Sequence, residues 1–148
     1  MIVLRNFLAR DIPILQKYRY PDLTGQEIHE MMEQWNQKEY EGKYFEMFAI
    51  MDGETCVGSL SLYQHTQSVV SFGPEIFTEY RRRGYASAAI REAFQIAKHR
   101  GYGVVLDRVR TNNTASIALH KRLGFETDAY EYKNKKGNSV YLFLKLLQ

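Results

Sequence analysis

Arg81-Arg82-Arg83-Gly84-Tyr85-Ala86 stands where a strand-like segment ends and a long amphipathic helix begins. The first N–H groups of a helix have no internal acceptor, and the aligned peptide dipoles place about half a positive charge there, so the junction predicts an anion site suited to phosphate. Gly84 lets the backbone approach a ligand with no Cβ in the way. Downstream, Ala86, Ala89, Ile90, Ala93, Phe94 and Ala97 recur at helical spacing as one stripe of mostly small residues that can lie close against a sheet. Arg91, Glu92, Gln95 and Lys98 fall on the opposite, wet face; Lys98, His99 and Arg100 suit the negative helix end, and Gly101 supplies the stop. By itself such a motif does not separate a phosphate site from three solvated arginines.

A second segment, Asn113-Thr114-Ala115-Ser116-Ile117-Ala118-Leu119-His120-Lys121-Arg122-Leu123-Gly124-Phe125, also reads as a helix with both ends marked. Asn113 is a good N-cap, and Gly124 can take the left-handed position after the helix while Phe125 folds back. The pair in this order, RxxGxA and then NxxSxxLHxxxGF, resembles the pyrophosphate-binding motif and following helix motif of the GNAT N-acetyltransferase family. The specific motifs lie between Ile76 and Phe125; the first 50 residues match in layout only.

The remaining 148-residue chain reads as one α+β domain able to bury its own core. Ile2 to Asn6 predicts a strand. Asp11 to Tyr18 predicts a short helix with Asp11 as cap and Pro13 in its first turn. Thr24 and Glu27 form a capping box opening a helix with Ile28, Met31, Met32 and Trp35 on its apolar face, more a core stripe than an acceptor pocket. Tyr44 to Met51 and Thr55 to Gln64 form a hairpin around Asp52-Gly53. Val69 to Thr78 is the next strand, where Gly73-Pro74 predicts a bulge or an unpaired edge. Val104 to Val109 follows, and Phe125 to Tyr132 with Ser139 to Leu146 closes the chain as a hairpin. This order matches the GNAT fold, implying a mixed, mostly antiparallel twisted sheet flanked by helices.

One cysteine excludes an internal disulfide, and no charged-then-apolar leader or long apolar run is present, so a soluble cytoplasmic protein with no membrane partner is expected. By simple alternation Cys56 shares a strand face with Leu60 and Leu62, as a buried structural thiol. No Cys, His and carboxylate set has metal-ligand spacing. Residues 1–55 carry six Lys or Arg against ten Asp or Glu, and residues 56–148 fourteen against seven. The basic part suits a phosphorylated ligand. Glu27, Glu30, Glu33, Glu39 and Glu41 either shape a site for a cationic amine or simply solubilise a surface helix.

The resemblance implies acetyl transfer from acetyl-CoA to an amine by direct attack. It implies that Ile76, Phe77 and Thr78 offer backbone groups to pantetheine and carbonyl. The loop amides of Arg82, Arg83, Gly84, Tyr85, Ala86 and Ser87 take the pyrophosphate, Arg81 stands at the motif's Arg/Gln position, and Asn113 touches the cofactor. The chain departs from the family at His120, where a tyrosine usually serves as acid toward the thiolate. An imidazole can still donate an N–H there, or merely pack against Phe125. Glu75, next to Ile76, is the expected base, with His65 a weaker candidate. Tyr80, Tyr130 and Tyr132 are substitutes for the acid that spacing does not separate. Two other readings stay open: a non-catalytic acyl-CoA-binding module, and a nucleic-acid-binding domain built on Arg81 to Arg83, Lys133, Lys135 and Lys136, which the modest net charge disfavours. The apolar last strand, Tyr141 to Leu147, can pair across subunits in a homodimer.

Overall fold

The sheet begins with the alternation of Ile2–Asn6 (β1), which pairs antiparallel with Lys43–Asp52 (β3). A computed structural model covers Met1–Gln148. Between these strands lie Ile12–Tyr18 (α1), Gly25–Asn36 (α2) and the two-residue Glu39–Tyr40 (β2). The capping box forms as expected, with Thr24 Oγ1 accepting from Glu27 N–H and Glu27 accepting from Thr24 N–H. Thr55–Gln64 (β4) and Val69–Ile76 (β5) continue antiparallel, and Tyr85–His99 (α3) crosses to Val104–Arg110 (β6). Thr114–Arg122 (α4), Tyr132–Lys133 (β7) and Ser139–Leu146 (β8) complete the chain. The strand order is β1-β3-β4-β5-β6-β8-β7, with β2 beside β3.

The only parallel neighbours, β5 and β6, pair only at Val69 with Val104 and Val70 with Val105. Beyond Val70 the two strands part, and this opening sets the site. The expected disruption at Gly73-Pro74 takes the form of an open edge, not a bulge: β5 keeps unbroken register with β4 from Val70 to Ile76. Phe72 N–H donates across the opening to Asp107 Oδ1 at 3.1 Å, whereas Phe77 N–H donates to Val57 O at 2.9 Å. Antiparallel pairing alternates, so Phe72, Pro74 and Ile76 turn their backbone polar groups away from β4, and the missing N–H of Pro74 costs that ladder nothing.

The bulge lies instead between Ile50 and Met51, where Ile50 pairs Gly58 but Met51 pairs Cys56. One extra residue flips the side chains beyond it to the other face. Cys56 therefore leaves the Leu60–Leu62 face and packs with Ala49, Met51 and Phe77 under α1 and α2. It is buried as expected, and burial pushes its thiol pKa up to about 11. The other face, under α3 and α4, gathers Phe48, Leu60, Leu62, Ala89, Ile90, Ala93, Val105 and Phe143. Met32 is buried and Trp35 packs on Phe7 at 5.6 Å, so the α2 stripe is core.

The closing hairpin is shorter than expected. Only Tyr132 and Lys133 pair with β8, plus an isolated bridge from Glu126 to Leu144. Thr127 and Asp128 side chains accept from Ala129 and Tyr130 N–H, and Ala129 is left-handed at φ 60°, so local turns replace the ladder.

Candidate active site

The β5-to-α3 junction leaves an unusual set of donors. Arg82 (φ 63°) and Gly84 (φ 80°) are both left-handed, and Gly84 caps α3 with open space where a Cβ would stand. The first backbone hydrogen bond of the helix is Ala88 N–H to Gly84 O, and no protein acceptor meets the N–H groups of Arg82, Arg83, Gly84, Tyr85, Ala86 or Ser87. Six consecutive free donors at a helix start form an anion cradle. Tyr85 anchors it by donating its hydroxyl to Asp52 Oδ2 at 2.6 Å. The cradle opens into a groove of about 580 Å³ lined by Ile76, Tyr80, Arg82, Ser87, Asn113 and Arg122, among others.

The expected residues divide here. Ile76 lines the groove with its N–H turned to the opening, whereas Phe77 is buried, stacks on Tyr18 at 4.7 Å, and has its N–H bound in the ladder. Thr78 opens a short 3-10 turn, Thr78–Tyr80. Arg81 folds back, donating Nε–H to Ile76 O at 3.0 Å and Nη2–H to Glu75 Oε1 at 3.3 Å. Arg83 lies over the Tyr80 ring, 5.7 Å from its centroid. Asn113 lines the groove while its Oδ1 caps α4 by accepting from Ser116 N–H at 3.0 Å. Glu75 is 45% exposed and faces both Arg81 and Arg19, so its carboxylate is already engaged.

Deeper in, between β5, β6 and α4, a cavity of about 410 Å³ is lined by His65, Ser71, Pro74, Asp107, Arg108 and His120, among others. It shares Pro74, Ser116 and Leu119 with the groove, so the two adjoin. His120 is buried, with Nε2 2.9 Å from Asp107 Oδ2 and Nδ1 2.7 Å from Ser116 O. Asp107 Oδ2 and Ser116 O are acceptors, an arrangement that favours protonation of both ring nitrogens, and Ser116 Oγ lies 3.4 Å from Nδ1. Burial alone would push this imidazole's pKa down; the bonds to Asp107 and to Ser116 O outweigh it, and the net direction is up. The ring also packs on Phe125 at 4.7 Å and Phe143 at 5.3 Å.

A family profile for the acetyltransferase (GNAT) domain matches residues 4–126. The chain belongs to the GNAT acetyltransferase family. No curated protein sequence matches it closely enough to count as a relative. Solved GNAT structures share its fold across nearly the whole chain. Spermidine N-acetyltransferase from Vibrio cholerae, solved with CoA and spermine, has a TM-score of 0.77 at 16% identity, covering 99% of this chain and 95% of that one. The ribosomal L7/L12 alpha-N-protein acetyltransferase RimL, solved with coenzyme A, has 0.82 at 15%, covering 99% and 94%. The Salmonella typhimurium enzyme that modifies the N-terminal serine of L7/L12 has 0.76 at 17%, covering 99% and 95%. This GNAT protein is an acetyl-CoA-dependent N-acetyltransferase. Its residues fit the co-substrate: a diphosphate needs several donors at one point, and the six free amides supply them beside Arg82 and Arg122.

Sequence reasoning passed over three groups in this GNAT site. Arg122 is one: Ala115, Ser116, Leu119 and Arg122 share the groove-facing side of α4, a spacing visible in the sequence. Asp107 sits at an inward position between Val105 and Val109, where a carboxylate signals a buried partner. Ser71 gave no signal. The glutamates at 27, 30, 33, 39 and 41 are exposed and line neither cavity, and Glu33 pairs with His29 at 2.9 Å.

Proposed function

We propose that the chain moves an acetyl group from acetyl-CoA to a primary amine, of a small molecule or of a peptide or protein, by direct attack inside the β5–β6 opening. The observation that carries this reading is the run of six unpartnered N–H groups from Arg82 to Ser87 at the mouth of that opening. The pyrophosphate lies on these amides with Arg82 and Arg122 beside it. Pantetheine follows the β5 edge, where Ile76 N–H is the donor left for it: Asp107 holds Phe72 N–H and Pro74 has none. The thioester then reaches the inner cavity, whose walls carry His120 and His65.

His120 takes the place of the acid as an imidazolium pinned by Asp107, its charge stabilising the departing thiolate. Glu75 acts chiefly as the partner of Arg81 and Arg19, and Arg81 as a brace on the Ile76 carbonyl. The fold neighbours act on spermidine and on a ribosomal protein N-terminus. Arg108 lines the cavity with no carboxylate within ion-pair distance, which disfavours polycationic acceptors here. The enzyme is read as cytoplasmic; no helix is long and apolar enough to cross a membrane. The open length of β8 suits pairing with a second copy.

Calorimetry with coenzyme A and thiol release from acetyl-CoA test the reading, using spermidine, a peptide with a free N-terminus and a small neutral-chain amine as acceptors. Binding without thiol release from any amine would favour a non-catalytic acyl-CoA-binding module, the reading that the two engaged nitrogens of His120 support. No binding of coenzyme A would remove both.

A further inference from the structure

His65 stands on the cavity wall opposite the Asp107–His120 pair and is bonded to neither. It follows β4 directly, and its backbone is fixed by its N–H donating to Val69 O at 2.8 Å. Its ring lies edge-on to Tyr63, centroids 5.2 Å apart. Its Nε2 is 2.5 Å from Ser71 Oγ, and Ser71 Oγ in turn donates to the carbonyl oxygen of Leu106. A serine hydroxyl has one proton. With that proton on Leu106 O, Ser71 can only accept from the imidazole, so Nε2 carries the hydrogen and Nδ1 keeps its lone pair. No protein donor meets Nδ1.

The surrounding charges favour a neutral ring. Arg108 on β6 and Lys43 on β3 are the cations that act on it, and neither has a carboxylate within ion-pair distance. Asp107 is the opposing anion, and it is held by His120 and Phe72 N–H. Burial first, then Arg108 and Lys43, lower the imidazole's pKa from its ordinary value. Ser71 on β5 and Tyr63 on β4 are the other side chains set against the ring.

We propose that His65 is the catalytic base, taking the proton of the acceptor's ammonium group on Nδ1 while Ser71 fixes the tautomer. This rests on the acetyl-transfer reading above and adds the residue that makes the amine nucleophilic. The ammonium N–H bond breaks and its proton passes to Nδ1. The freed lone pair forms the C–N bond at the thioester carbonyl. The C–S bond then breaks with its electron pair going to sulfur, the acylated nitrogen gives up its second proton to the departing thiolate, and the imidazolium returns its proton to solvent.

His65→Gln keeps a polar side chain without a titratable nitrogen. It is expected to lower kcat/KM about 10²-fold and to remove the acidic limb of the kcat/KM pH profile, while coenzyme A affinity measured by calorimetry stays within about twofold. Ser71→Ala, which releases the tautomer but keeps the base, is expected to cost about tenfold and to retain the limb. Wild-type kcat/KM with an unchanged limb in a folded His65→Gln protein would overturn the proposal. Side-chain ¹⁵N–¹H correlation spectra at pH 7 give a readout that needs no acceptor: a bare Nδ1 and a protonated Nε2 support it, and the reverse tautomer or an imidazolium overturns it. If wild type binds coenzyme A but turns over no amine, the parent reading fails and this one falls with it. If wild type is active and His65→Gln equally so, only the base assignment fails.

Discussion

At residue scale the Asp107–His120 pair couples three elements, since Asp107 also accepts from Phe72 N–H on β5. Removing one member of a buried pair strands the other charge. His120→Phe is therefore expected to destabilise by about 3–5 kcal/mol by thermal or urea unfolding, with part recovered when Asp107→Asn is added. In the folded protein, turnover should fall more than coenzyme A affinity, which single-turnover kinetics and calorimetry would separate. Unchanged turnover would confine His120 to packing and pairing.

The sign of the pH effect follows from the raised pKa of His120. The unfolded chain loses this proton near the reference value of about 6.5 and the folded chain only above it. The group's stabilisation is thus complete below about 6.5 and is lost as pH rises through the folded value. The difference in unfolding free energy between wild type and the His120→Phe, Asp107→Asn double variant should shrink as pH rises above about 6.5. A difference that grows with pH would mean that the ring is neutral in the fold.

At element scale, contacts across the sheet decide more than propensity. Gly58 sits opposite Ile76 beside the β3–β4 bulge, and a Cβ there would lie 2.2 Å from Glu75 O and 3.0 Å from Ile76 Cα. Both obstacles are backbone, so Gly58→Ala must push β5 away from β4. A loss of about 2–3 kcal/mol is expected, which is a fall of roughly 6–12 °C in Tm for a chain of this size. At the start of α3, Gly84→Ala strains a left-handed residue by about 1–2 kcal/mol and places a methyl in the cradle. Arg82→Ala and Arg122→Ala line the groove and should each weaken coenzyme A about tenfold by calorimetry. Arg83→Ala, over Tyr80, should change it less than twofold. Equal losses at all three arginines would argue for a diffuse basic patch instead of a directed cradle.

At the scale of the whole molecule, the helices sort by face, α1 and α2 on one side and α3 and α4 on the other, so an opening in the sheet connects two different surfaces. The groove wall is built from α3 and α4, and the other wall from strand ends and the loop at His65. Both helix starts, the capping box at Thr24, the turn at Asp52-Gly53 and the stop at Gly101 were legible, because each depends on a few adjacent residues and their own backbone chemistry. Cys56 was placed on the wrong face because the bulge at Ile50–Met51 has no local marker. The ion pairs of Glu75 were equally out of reach: Arg81 lies six residues away, but Arg19 reaches it from the residue after α1.

The order of local signals along the chain determined the element sequence, the glycine-led start of the third helix and the family. Periodicity, capping and dipole act over one or two turns and are written in neighbouring residues. Only the tertiary structure decided where β5 and β6 part, that Asp107 holds both Phe72 N–H and His120, and that Ser71 fixes one nitrogen of His65. Those outcomes depend on strand register and on hydrogen bonds closed across 6 to 35 residues, where a shift of one residue turns every side chain to the opposite face.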